Sequence, residues 1–148
     1  MCKTIKQRVK FKHPPRAVYA LLADSKQHTA FSGEPAVISK EVGGRFSAYS
    51  GYIQGINVDL APGERIVQAW RGADFPPGIF SMATFNLSPT SDGGTELVLT
   101  HRGVPKSLIP GIEQGWREFY WDKMKAHLAS GAAQRPTRRG SSPPGRPP

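Results

Sequence analysis

Cysteine is almost absent: Cys2 is the single one in 148 residues, which rules out an internal disulfide and any cysteine-based metal cluster. That usage fits a reducing compartment, and nothing beside Cys2 would activate its thiol. No run of 18 or more apolar residues occurs, and the start, MCKTIKQRVKF, carries charges where a signal peptide needs an apolar stretch. The expectation is a cytoplasmic protein with no membrane span. Metal-binding spacings are missing as well. His13, His28, His101 and His127 never stand at HxH or HxxxH spacing, and no HExxH occurs. Nor is there a GxSxG elbow, a GxGxxG turn or a P-loop, and the acids are scattered, so the sequence assigns no catalytic residue, no metal and no cofactor.

Acid is lacking in one segment in particular. SGAAQRPTRRGSSPPGRPP, residues 130–148, contains none, while Arg135, Arg138, Arg139 and Arg146 lie in it. The formal net charge of +9 therefore divides unevenly, with sixteen basic residues against eleven acids, near +5, in residues 1–129. Pro, Gly, Ser and Arg without apolar periodicity cannot bury enough surface to offset ordering entropy, so 130–148 is expected to be a disordered basic tail. Residues 1–129 are long enough for one domain with one core. The basic excess is local and has no aromatic residues interleaved as a stacking platform would need, which places nucleic acid last among partners.

What is present is a clear order of elements. TIKQRVKF alternates strictly, setting Ile5, Val9 and Phe11 on one face and Lys6, Arg8 and Lys10 on the other, the pattern of a half-buried strand with a basic outer stripe. HPPRAVYALLADS follows, with Pro14 and Pro15 at a helix start, and SKQHTAF makes a second short helix. Strands are expected near 36–39, 44–48, 52–60, 65–70, 80–87 and 95–102. Turn chemistry separates them at Gly43-Gly44, Pro62-Gly63, Pro76-Pro77-Gly78 and Asp92-Gly93-Gly94.

PGIEQGWREFYWDKMKAHL then reads as one long helix. Trp116, Tyr120, Met124 and Leu128 form its apolar stripe, with Ile112 and Phe119 alongside and Glu118, Asp122 and Lys125 opposite. The fold class is α+β: a curved antiparallel sheet wrapped around a long C-terminal helix, with two short helices after the first strand. A curved sheet and a helix leave space between them, so an apolar groove is expected there. Its candidate lining is Trp70, Phe80, Phe85, Leu97, Leu99, His101, Trp116, Tyr120 and Met124. Leu97, Leu99 and His101 share one face of TELVLTHR, and His101 is the residue that could orient a ligand or act as a base. On α-helical geometry Trp121 falls about 140° away from Trp116 and points outward, which makes it, with Lys6, Arg8 and Lys10, a candidate for a partner surface.

These pieces carry a resemblance. GGRFSAYSGYIQGINVDLAPGERIVQAWR, FPPGIFSMATFNLSP, GGTELVLTHRGVP and GWREFYWDKMKAHL are similar to the C-terminal domain of the activator of the heat shock protein 90 ATPase, in the START-like (SRPBCC) helix-grip superfamily. The resemblance runs from Thr4 to Leu128 and implies a non-enzymatic binding module, with a heat shock protein 90-type chaperone or another protein as partner in a stress response. It transfers no catalytic set. Two other readings stand beside it: a carrier or sensor of a small hydrophobic ligand held in the groove, and a cyclase- or hydrolase-like enzyme using His101.

Overall fold

The computed structural model describes residues 3–130; the expected tail beyond Ser130, and Cys2, lie outside the described residues. The alternation of IKQRVKF folds as β1 (Ile5–Phe11), with Lys6, Arg8 and Lys10 outward. Pro15 opens α1 (Pro15–Ala23), where its missing N–H costs no hydrogen bond. The Asp24 carboxylate caps α2 (Ser25–Ser32) by accepting from the Gln27 N–H at 3.0 Å. Six further strands follow: β2 (Val37–Ile38), β3 (Arg45–Ala48), β4 (Ile53–Ala61), β5 (Arg65–Gly72), β6 (Ser81–Pro89) and β7 (Thr95–Arg102).

All seven strands form one antiparallel sheet, ordered β1-β7-β6-β5-β4-β3-β2. Each strand presents alternate residues to the helices, and these make the core: Ile5 and Phe11, Leu97 and Leu99, Ala83, Phe85 and Leu87, Ile66 and Trp70, Ile53, and Phe46 and Ala48. Gly55 sits among them because a Cβ there would lie 1.9 Å from the Ala69 carbonyl oxygen and 2.5 Å from the Phe46 ring. The buried amide of Asn57, beside a bulge in β4, donates to the Ser39 carbonyl at 2.8 Å and accepts from Gln68 at 3.2 Å, so its polar atoms are satisfied.

The chain returns through a 3-10 turn (Lys106–Leu108) into a continuous rod of α3 (Ile109–Gly115), a six-residue π turn (Trp116–Trp121) and α4 (Asp122–Ala129). The rod lies across the inner face with Trp116, Tyr120, Met124 and Leu128 buried, while Glu118, Asp122 and Lys125 face solvent. Two expectations are corrected here. The π turn bonds each N–H to the carbonyl five residues back, so Trp116 and Trp121 come round to one side. Trp121 is 2% exposed, stacked on Trp116 with ring centroids 5.6 Å apart, and its Nε1–H donates to Gln7 Oε1 at 2.6 Å. It is core, and it ties the rod to β1. Phe80 is the second: it is 47% exposed, on the outer side of the sheet, with the Arg71 guanidinium over its ring. Phe80 and Phe85 stand five residues apart, and a period of two cannot put both inside.

Candidate functional site

On the α3 side of Trp116 the rod stands off the sheet. Gly111 and Gly115 stand one turn apart on the helix and line the gap; a Cβ at Gly111 would meet nothing within 4 Å, and one at Gly115 would make only ordinary contact with Phe119 at 3.8 Å. Two side chains that would ordinarily fill the space are missing. The result is a pocket of about 460 Å³ open to solvent, bounded by the rod, the 3-10 turn, the ends of β4 and β5, and the turn that carries Tyr49. That volume lies in the range of small-molecule sites.

The wall is aromatic, with Trp70, Phe75 and Trp116 buried at the base, the two tryptophan ring centroids 5.7 Å apart, and Tyr49, Tyr52 and Phe119 toward the opening. Tyr49 and Tyr52 come from the β3–β4 turn, in which Tyr49 (φ 52°), Ser50 (φ 57°) and Gly51 (φ 91°) are all left-handed. For a non-glycine residue that conformation costs about 1–2 kcal/mol. Held strain of this kind is frequent where a side chain must be aimed, and here it accompanies the Tyr49 hydroxyl donating to the Phe119 carbonyl, a clasp between sheet and rod. Burial, then the Glu34 charge, push the Tyr49 hydroxyl pKa up, so it stays a donor. Tyr52 donates to Asp74 Oδ2 at 2.6 Å, and that bond, with burial, pushes its pKa up to about 12.

Asp74 and Phe75 ride on the loop after β5. Arg71 fixes this loop by donating to the carbonyls of Phe75 at 3.0 Å, Pro76 at 2.9 Å and Ile79 at 3.0 Å.

Of the sequence-derived lining residues, Trp70, Trp116 and Tyr120 border this pocket. Phe85, Leu97, Leu99 and Met124 are buried in the core behind it, and Phe80 is outside. Tyr49, Tyr52, Asp74, Phe75 and the two glycines were not expected. Only the glycine pair left a local signal, since each glycine inside a helix costs about 1 kcal/mol relative to alanine.

His101, also behind the pocket and 0% exposed, is fully engaged. Trp116 Nε1–H can only donate, and it reaches His101 Nδ1 at 3.1 Å, so Nδ1 is the acceptor and the ring proton sits on Nε2. Nε2 then donates to Ser81 Oγ at 2.7 Å, and Ser81 donates to the Trp70 carbonyl at 2.9 Å. The relay runs one way and ends on the backbone. It leaves His101 no lone pair for a substrate and Ser81 no base to activate it, so the pairing is structural. Burial holds the His101 pKa down to about 3. His28, beneath the rod with Nε2 3.0 Å from the Tyr120 hydroxyl, is likewise lowered by burial, to about 4. Among the described residues no group of three or more His, Cys, Asp and Glu could hold a metal ion, and no helix is long and apolar enough to cross a membrane.

The family described as "Activator of Hsp90 ATPase homolog 1-like protein" matches residues 12–129. Among similar curated proteins, the Activator of 90 kDa heat shock protein ATPase homolog of Dictyostelium discoideum is 32% identical over 123 residues, covering 83% of this chain and 32% of its own length. The Homo sapiens homolog 1 is 31% identical over 132 residues, covering 88% and 38%. The chain thus spans about a third of these relatives' length. An HSP90 activator from Plasmodium falciparum has the same fold, with a TM-score of 0.80 at 24% identity, covering 85% of this chain and 96% of that one. The match over most of the described residues, on an antiparallel sheet gripping a C-terminal rod, makes the chain a member of the Activator of Hsp90 ATPase homolog 1-like family, with its START-like helix-grip fold.

Proposed function

We propose that the protein is a non-enzymatic binding module acting on a heat shock protein 90-type chaperone. The observation that carries this reading is the family match across residues 12–129, together with relatives named as activators of that ATPase. The outer face of the sheet supports it with a suitable surface. Arg45, Ile56, Ala69, Met82 and Arg102 are successive cross-strand neighbours from β3 to β7, an apolar row with an arginine at each end. Val37, Ile56, Phe80 and Met82 on or beside it are exposed. Clustered exposed apolar side chains of this kind mark interaction surfaces. Lys6, Arg8 and Lys10 flank the row on β1, Arg8 already paired with Glu96 at 3.2 Å, and would steer an acidic partner.

Titrating the protein into a heat shock protein 90 homologue at low salt is expected to change ATP turnover. The double variant Ile56→Asp, Met82→Asp should weaken the complex at least about tenfold, because two apolar contacts are lost and two charges are placed against the partner. Raising salt past about 0.15 M, where screening acts over about 8 Å, should weaken the wild-type complex. Absence of any complex at low salt would remove the reading.

The open pocket favours a second reading, that the domain carries or senses a small hydrophobic molecule such as a lipid, sterol or aromatic metabolite. Native mass spectrometry of protein purified from its own host should then show a bound mass, lost in Gly115→Leu, whose side chain would occupy the hollow. A bare mass together with no uptake of a hydrophobic dye contradicts it.

A further inference from the structure

The pocket's polar chemistry is lopsided. Basic residues outnumber acidic ones twenty to eleven in the chain, yet none lines the pocket, and the one formal charge on its wall is Asp74. The basic residues on the surrounding elements are directed elsewhere or are not part of the wall. Arg71 is spent on three loop carbonyls and lies over the outer ring of Phe80, and Lys106 in the 3-10 turn is not among the lining residues. Lys123 donates to the Ser32 carbonyl at 3.3 Å and its Nζ stands over the Phe119 ring, 5.8 Å from the centroid, at the rim rather than in the wall. Asp74 Oδ2 is held by the Tyr52 hydroxyl, which fixes the carboxylate at the opening, while Oδ1 makes no hydrogen bond or ion pair among the described residues. The same wall carries the rings of Tyr49, Tyr52 and Phe119, the last already beneath the Lys123 ammonium, and the buried rings of Trp70, Phe75 and Trp116. Ring faces attract cations, tryptophan most strongly, and a carboxylate beside an aromatic wall complements an ammonium group.

We propose that the pocket takes a small cationic amphiphile, an amine or quaternary ammonium on an aromatic or aliphatic body, with the body against Trp70 and Trp116 and the charged nitrogen at Asp74 Oδ1. This rests on the second reading above and sharpens it from a hydrophobic ligand to a positively charged one. An anionic ligand such as a fatty acid meets repulsion at Asp74, the only formal charge among the described residues that line the pocket. A neutral sterol gains nothing from that charge.

Three probes with one body and different heads test this: 4-phenylbutylamine, 4-phenylbutan-1-ol and 4-phenylbutanoate, titrated into the full chain and followed by tryptophan fluorescence and calorimetry. The amine is expected to bind about tenfold tighter than the alcohol, and the carboxylate weakest. Asp74→Asn, on an exposed loop where folding should be undisturbed, is expected to bring the amine down to the alcohol and leave the alcohol unchanged. Gly115→Leu, checked for folding by circular dichroism, should abolish all three. Equal binding of amine and alcohol, or an amine affinity indifferent to Asp74→Asn, overturns the cation proposal while the hydrophobic pocket stands. Failure of all three probes to bind overturns both.

Discussion

Acidification from pH 7 to pH 5 is expected to lower the unfolding free energy by about 4 kcal/mol, well before carboxylates titrate. His28 and His101 are 2% and 0% exposed, and burial holds their folded pKa values at about 4 and about 3. In the unfolded chain both return to the ordinary value of about 6.5. Between those limits the unfolded state binds protons that the folded state refuses, so stability is full above about pH 6.5 and falls as pH drops through it. At pH 5 each histidine forfeits about 2 kcal/mol. His127, also lowered by burial, acts in the same direction. Urea unfolding at half-unit pH steps checks this. A profile flat from pH 6.5 to 5 would mean that the histidines are hydrated and that the relay through Ser81 and Trp116 is wrong.

Trp116→Ala should be the most damaging single substitution, costing about 4–5 kcal/mol out of a total that for domains of this size is about 5–15. Trp116 is 2% exposed and packs on Trp70, Phe85, Tyr120 and Trp121, with centroids at 5.7, 5.5, 4.7 and 5.6 Å. Truncation removes that packing and also strips the donor from His101 Nδ1. Trp116→Phe separates the two losses. It keeps most of the ring contact but leaves a buried acceptor bare, for about 1–3 kcal/mol. Urea midpoints of the two variants should be well apart. Phenylalanine with no cost would show that the Trp116–His101 hydrogen bond contributes nothing.

Much of the fold was legible because its signals are local. The alternation of Ile5, Val9 and Phe11 and the prolines at 14 and 15 needed no tertiary knowledge, and β4, expected over 52–60, is found one residue later. The stripe of Trp116, Tyr120, Met124 and Leu128 was read correctly as buried. Trp121 was misplaced because a uniform period of 3.6 was carried through a turn bonded at five-residue spacing. The pocket was foreseen as a hollow, but its rim was not. Tyr49, Tyr52 and Asp74 reach it from turns, where left-handed backbone and the carbonyls gripped by Arg71 aim the side chains, and periodicity says nothing about turns. His101 was placed correctly on the inner face, but its engagement on both nitrogens depends on Ser81 and Trp116, which only folding brings to it.

The wide turn also sets the phase of the rod. In a uniform α-helix, residues recurring every fourth position drift by about 40° a step, and over three steps from Trp116 to Leu128 the stripe would wander by about 120°. One slack loop of helix takes up part of that drift, so both halves keep their greasy side on the sheet. The surplus residue in that loop is a reserve of length. Deleting one residue between Trp116 and Trp121 would let the turn close to α-helical spacing and leave Met124 and Leu128 on the sheet, whereas inserting one would swing them by about 100° toward water.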